Sequence, residues 1–148
     1  MIAARKLFKG TTAVDLFRLV VGERIGGGIS REVYEFRPNN DLIIKFDTNS
    51  RSFQNVSEWE TWGWVRGTRM ARWFAPCVQI SPCGTVLLQR RCEPLQKKQI
   101  PRKLPAFLCD FKPENFGLLE GKVVCLDYGT AWSCIRSVPK QLVKVDWR

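Results

Sequence analysis

The apolar positions change period several times along the chain, and each change predicts an element. Val14, Phe17 and Val21 recur at helical spacing, with Thr11 or Thr12 available as a cap and Asp15 in the first turn. Residues 19–25 alternate well enough to read equally as a strand, so both assignments stay open there. Three glycines at 26–28 follow, and then 31–36 (Arg-Glu-Val-Tyr-Glu-Phe), where Val33 faces opposite to Tyr34 if the segment is extended. Pro38-Asn39-Asn40-Asp41 is a turn, and residues 42–46 make a third strand. From 54 to about 73 the pattern is helical: Glu58, Trp62 and Val65 stand at spacings of four and three and share a face, with Gly67 placed to bend or break the helix. Residues 76–80 and 85–89 predict a hairpin across Ser81-Pro82-Cys83-Gly84. A Pro- and Lys-rich connector spans 94–105, and 116–119 with 122–126 predicts a second hairpin closed by Glu120-Gly121. This order gives an α+β chain with an antiparallel sheet.

Composition narrows the classes. The 148 residues are 45% hydrophobic, enough for one core and too few for two full domains. The six Trp fit that core, and a 26% charged fraction argues against disorder. No apolar run approaches the ~20 residues of a membrane helix. The first ten residues lack the apolar stretch of a signal peptide, so a cytoplasmic protein without membrane contact is expected. His is absent, which removes every His-based triad and His-metal mechanism and leaves carboxylates, Lys and a divalent cation to carry chemistry. The six Cys form no Cys-x-x-Cys pair, so free thiols, mostly buried in strands, are expected in place of zinc or disulfides. A net charge of +10 favours polyanions. Its Lys and Arg lie in separate clusters at 5–9, 97–103 and 140–148 with no interleaved aromatic ladder, so nucleic acid is expected to bind weakly.

Two stretches carry the candidate chemistry. At 109–116 the chain reads Cys-Asp-Phe-Lys-Pro-Glu-Asn-Phe, with Asp110 and Asn115 five apart and Lys112 between them; Asp127-Tyr128-Gly129 follows an apolar strand. Upstream, Ile25-Gly26-Gly27-Gly28-Ile29-Ser30-Arg31-Glu32-Val33 precedes Lys45 on the third predicted strand. Together these resemble the protein-kinase motifs in their family order: the glycine-rich loop, the strand lysine, a helix glutamate, the catalytic loop H-R-D-x-x-x-x-N and D-F-G. The resemblance runs from about residue 22 to 131 and implies an α+β, protein-kinase-like fold. A five-stranded antiparallel N-lobe sheet with helix C would occupy about 1–90 of a single domain spanning 1–148. A much reduced C-lobe, 95–148, would retain the catalytic loop and the metal-binding hairpin.

It also implies roles. ATP and Mg²⁺ would be the cofactors, with Asn115 and Asp127 as hard-oxygen metal ligands. Asp110 would orient the acceptor, and Lys112 would sit near the transferred phosphoryl. Gly26, Gly27 and Gly28 would let backbone amides approach the phosphates, and Val33 would pack on adenine. Lys45 would contact the phosphates and pair with Glu58, Glu60 being the other carboxylate the pattern allows. The backbone from Gln89 to Cys92 would bond the adenine edge.

The chain departs from the family at four places. Arg31 replaces the third glycine, and Leu108-Cys109 replaces His-Arg. About fifteen residues separate hinge from catalytic loop, and nineteen follow Gly129, with no A-P-E. This looks like a minimal, phage-type kinase-like protein of the host cytoplasm, acting on a partner protein or on itself. A non-catalytic module that inhibits or scaffolds a partner, and a basic nucleic-acid-binding protein, are the alternatives. Alkylation of the denatured, unreduced protein should label six thiols by mass; a loss of two would reveal a disulfide.

Overall fold

In the computed structural model, which describes residues 11–49, 52–108, 110–137 and 141–147, the chain divides into two compact units, Met1–Trp59 with Cys77–Arg91 and Glu60–Pro76 with Cys92–Arg148. The protein is α+β. Helix α1 (Thr11–Val20) passes directly into β1 (Val21–Gly27). Val21 therefore leaves the helical face expected for it. Its pairing with Phe36, beside an Arg37 N–H donated to the Val20 carbonyl, divides the ambiguous 19–25: residues 19–20 close the helix and 21–25 join the ladder. With β2 (Arg31–Phe36), β3 (Leu42–Asp47), β4 (Cys77–Ile80) and β5 (Val86–Arg90) it forms a five-stranded antiparallel sheet in the order β1-β2-β3-β5-β4.

Strand β3 is central, and its alternation assigns two different interiors to the two faces. Ile44 and Phe46 join Phe17, Val21 and Tyr34 in an apolar cluster, with ring centroids 5.7–6.4 Å apart. Lys45 and Asp47, on the opposite face, meet helix α2 (Gln54–Val65) through Glu58 and Asn55. The Tyr34 hydroxyl donates to Glu32, and burial, followed by that carboxylate, pushes its pKa up to about 12.

Helix α2 stops at Val65, short of the expected end near 73. Thr68 returns both its backbone N–H and its hydroxyl to the Val65 carbonyl, and a 3₁₀ turn at Ala71–Trp73 follows. Its buried face is Asn55, Glu58, Thr61 and Val65, with Trp62 half-buried beside it. The Trp residues depart from expectation: among those whose side chains are described none is fully buried, and Trp64 is 68% exposed. Phe, Tyr, Leu, Ile and Val build the interiors instead.

In the second unit β8 (Phe116–Leu119) and β9 (Lys122–Cys125) form the expected hairpin, with Glu120 at φ 52 and Gly121 at φ 75, and β6 (Glu93–Pro94) adds along β8. The connector contains β7 (Lys103–Pro105), which pairs with β10 (Leu142–Lys144) beyond helix α3 (Ala131–Ser137). Phe74 packs on Phe107 and Tyr128 at 5.9 and 5.0 Å, and the Tyr128 hydroxyl donates to the Ala75 carbonyl at 2.6 Å. Among the described residues no helix is long and apolar enough to cross a membrane.

Gly84 closes the β4–β5 hairpin at φ +74, and a Cβ there would come within 2.5 Å of the Val56 side chain. Gly84→Ala should cost about 1–3 kcal/mol, from backbone strain and steric overlap together. Urea unfolding checks this; an unchanged midpoint would mean that the turn relaxes freely.

Candidate functional site

Cross-strand register gathers the first group of residues. Val33 lies opposite Lys45, Lys45 opposite Leu87, and Arg31 opposite Asp47. Directly paired residues share a face, so Arg31, Val33, Lys45 and Asp47 all stand on the side of the sheet that α2 covers. The helix brings a single carboxylate there. Glu58 has no exposed surface; its Oε2 accepts from Lys45 Nζ and its Oε1 from Arg31 Nη2, both at 2.9 Å. Glu60 is exposed, so the lysine pairs with Glu58. The role of Arg31 is what sequence reasoning missed. Its side chain is only 8% exposed and turns inward to the carboxylate. The available signal was its place directly opposite Asp47 in a two-strand register.

Helix α2 has no acidic residue in its own first turn, and Asp47 acts from β3 instead. Its Oδ2 accepts the Asn55 N–H at 3.1 Å, the position at which a carboxylate satisfies an otherwise unpaired helix donor. The Asn55 side chain in turn donates to the carbonyls of Lys45 and Thr85, at 3.2 and 3.0 Å. The start of the helix is thus fastened to the sheet one turn before Glu58.

The three glycines differ in what the fold asks of them. Gly27 has φ +150, and a Cβ there would lie 2.8 Å from the Arg31 carbonyl oxygen, so the hairpin itself requires glycine. Gly26 would meet nothing closer than Val33 at 3.9 Å, and Gly28 meets nothing within 4 Å. Those two positions leave open space beside the backbone. At the other end of the sheet, Gln89 is fully buried and has ladder partners on both sides, Ile43 and Cys77. Arg91 N–H is engaged by the Asp41 carbonyl, and Cys92, half-buried, is the next residue along. Gln89 thus has a ladder neighbour on each side, because β5 is an interior strand.

The second group belongs to the other unit. Pro113–Asn115 is a 3₁₀ turn with Pro at its start, where its fixed φ fits and its missing N–H is not needed. The turn folds Asn115 back on Asp110: Nδ2 donates to the Asp110 carboxylate at 2.8 Å and to its carbonyl at 3.3 Å. Because the amide nitrogen is engaged, the Asn115 oxygen Oδ1 is the end that can face a cation. Lys112 reaches Asp110 at 3.3 Å, but both side chains are about half exposed, so the pair is weak and Lys112 can reorient. Asn115 is buried and Asp110 exposed.

Asp127 is placed by the β8–β9 hairpin. Phe116 pairs with Cys125, and the Leu126 N–H donates to the Asn115 carbonyl at 2.7 Å. Asn115 and Asp127 therefore flank the same open end of the hairpin. Tyr128 is buried and tied to Ala75, while the preceding Asp127 is exposed. A carboxylate and an amide oxygen are hard donors of the kind Mg²⁺ takes, and it commonly binds one or two protein oxygens with phosphate oxygens completing its shell. Among the described residues no cluster of three or more Cys, Asp or Glu could hold a metal by itself.

Among the described residues the cysteines are in no disulfide, but only Cys77 and Cys125 are buried in strands. Cys83 is exposed on the β4–β5 turn, where hydrogen bonds from Ser81 and Thr85 lower its pKa to about 7. Cys109 lies outside the described residues. Comparison with known proteins finds no match, either to a family model or to a curated relative.

Burial pushes the Asp47 carboxyl up from 3.8, while the Asn55 N–H, the Arg31 charge and the Ser52 hydroxyl pull the other way. The folded chain thus holds this proton more tightly than the unfolded one. The resulting stability is fully present below 3.8 and is lost as pH rises through the higher folded value. Asp47→Asn keeps a neutral acceptor at every pH. The stability of the parent relative to this variant should fall as pH is raised from below 3.8, measured by urea unfolding; a difference independent of pH would show no such linkage.

Proposed function

We propose that this chain is an ATP- and Mg²⁺-dependent phosphoryl-transfer protein of the protein-kinase-like type, acting on a partner protein or on itself. The observation that carries the reading is the buried 2.9 Å pair between Lys45 on a central strand and Glu58 on the covering helix. An ammonium held in place inside a sheet is suited to meeting the phosphates of a nucleotide. A lysine needed only for structure would more commonly keep its charge in solvent. The open backbone at Gly26 and Gly28 agrees with close approach of phosphate oxygens.

Residues of the second unit supply the remaining roles. Asn115 and Asp127 hold the cation, which neutralises phosphate charge when bound. Asp110 accepts a hydrogen bond from the Asn115 amide and keeps an exposed carboxylate, so it can orient an acceptor hydroxyl. Lys112, half exposed and weakly paired, can follow the transferred group. Transfer of this kind needs positioning and charge neutralisation more than covalent participation by the protein.

Mg²⁺-ATP at a hundredfold excess over Kd should stabilise the chain by about 2.7 kcal/mol, read as a rise in Tm. Asp127→Ala should abolish the Mg²⁺-dependent part. Asp110→Asn should leave nucleotide binding nearly intact and cut label transfer from γ-labelled ATP by about 10²-fold or more. An unchanged Tm in the parent would refute the nucleotide site. Good binding without transfer from the parent would leave a non-catalytic, partner-binding module.

A further inference from the structure

We propose that Arg31 is a positioning residue that shares Glu58 with Lys45, so that Lys45 can turn to an anionic ligand while the buried carboxylate stays paired. The ligand half of this statement rests on the phosphoryl-transfer reading; the sharing itself does not. Each carboxylate oxygen holds its own cation at 2.9 Å, and the Arg31, Lys45 and Glu58 side chains are 8%, 4% and 0% exposed. Removing one partner of a buried two-member pair strands an uncompensated charge and is strongly destabilising. A ligand that drew Lys45 from a two-member pair would meet that penalty. Here Arg31 remains on Oε1.

The two cations suit different halves of the task. A guanidinium keeps its charge under all ordinary conditions and is weakly hydrated, which fits a permanent interior partner. An ammonium on a flexible stem can move. The Arg31 backbone is also fixed: its carbonyl accepts the Gly28 N–H at 2.9 Å, and it stands opposite Asp47 in the ladder. Arg31 therefore ties the base of the glycine hairpin to α2 through Glu58. Because the side chain points inward, an arginine at the third small position of the loop need not obstruct an anion above the hairpin. Asp47, whose charge also acts on Arg31, faces it from β3.

The test is a set of cycles in the full chain. Arg31→Met and Lys45→Met are made singly and together, with and without Glu58→Gln, and followed by urea unfolding and by calorimetric titration with Mg²⁺-ATP. With Glu58 present, the folding constant of the double variant should fall at least about tenfold below the product of the two single effects. With Glu58→Gln, the two effects should multiply to within about twofold. Simple multiplication in the Glu58 background overturns the sharing. If the double variant does not fold, recovery of folding on adding Glu58→Gln supports the shared carboxylate, and continued failure overturns it.

In the titration Arg31→Met should weaken Mg²⁺-ATP binding about tenfold, Arg31→Lys should recover most of it, and the loss should shrink to within about twofold in the Glu58→Gln background. An equal loss with and without Glu58 would overturn the positioning role. A parent that binds no nucleotide would remove the phosphoryl-transfer reading, and the ligand half with it, while the unfolding cycle would still decide the sharing.

Discussion

Glu58 has no exposed surface and carries a cation on each of its carboxylate oxygens. An ionised carboxylate in such a place is tolerated only when it is paired and hydrogen-bonded, and the surrounding elements are arranged accordingly. Strand β3 must present Lys45 away from the aromatic cluster formed by Phe17, Tyr34 and Phe46. Strand β2 must begin at Arg31, in register with Asp47. Helix α2 must start where Asp47 and Asn55 can anchor it, one turn before the glutamate. A slip of one residue in β3 would exchange its faces, placing Lys45 among the rings and Phe46 against the carboxylate. The polar cluster and the apolar core on the two sides of the sheet therefore specify the same register.

The second unit uses a comparable division between an anchored residue and an exposed one. Tyr128 is buried, fixed through its hydroxyl to Ala75 and packed against Phe74, and its neighbour Asp127 is exposed. Asn115 is buried and returns its amide to Asp110, which is itself exposed. In both cases a buried residue positions an exposed carboxylate beside it. Such an arrangement suits the proposed roles of Asp110 and Asp127, because reactive carboxylates need both a fixed location and access to ligand.

Much of this was legible from local pattern. The Pro38–Asp41 turn, the β4–β5 hairpin and the Glu120-Gly121 hairpin follow from turn chemistry contained within a few residues. The pairing of Lys45 with a carboxylate on the next helix came from the resemblance to the protein-kinase motifs, and the face that Glu58 shares with Trp62 and Val65 favoured it over Glu60. The β7–β10 pairing was not legible, since strands of three residues carry too little alternation to announce themselves and their partners lie far apart in sequence. The Trp residues show the same limit: hydrophobicity marks a residue as able to be buried, whereas packing decides how far, and Trp147 packs on Phe111 and Phe116 while Trp64 stays exposed.

The sequence by itself determined the α+β character, the order of strands β2 to β5 around helix α2, the β8–β9 hairpin, and which residue types were available for chemistry in a chain without histidine. These follow from periodicity, turn residues and composition, all of which act over short stretches. Only the tertiary structure decided that Glu58 has two cationic partners, that Arg31 is one of them, and that the buried face of α2 includes Asn55 and Thr61. A polar residue looks solvent-facing in a one-dimensional pattern. Its burial becomes favourable only when another element supplies the opposite charge or the missing hydrogen bond, and that partner is chosen by register and packing across the sheet.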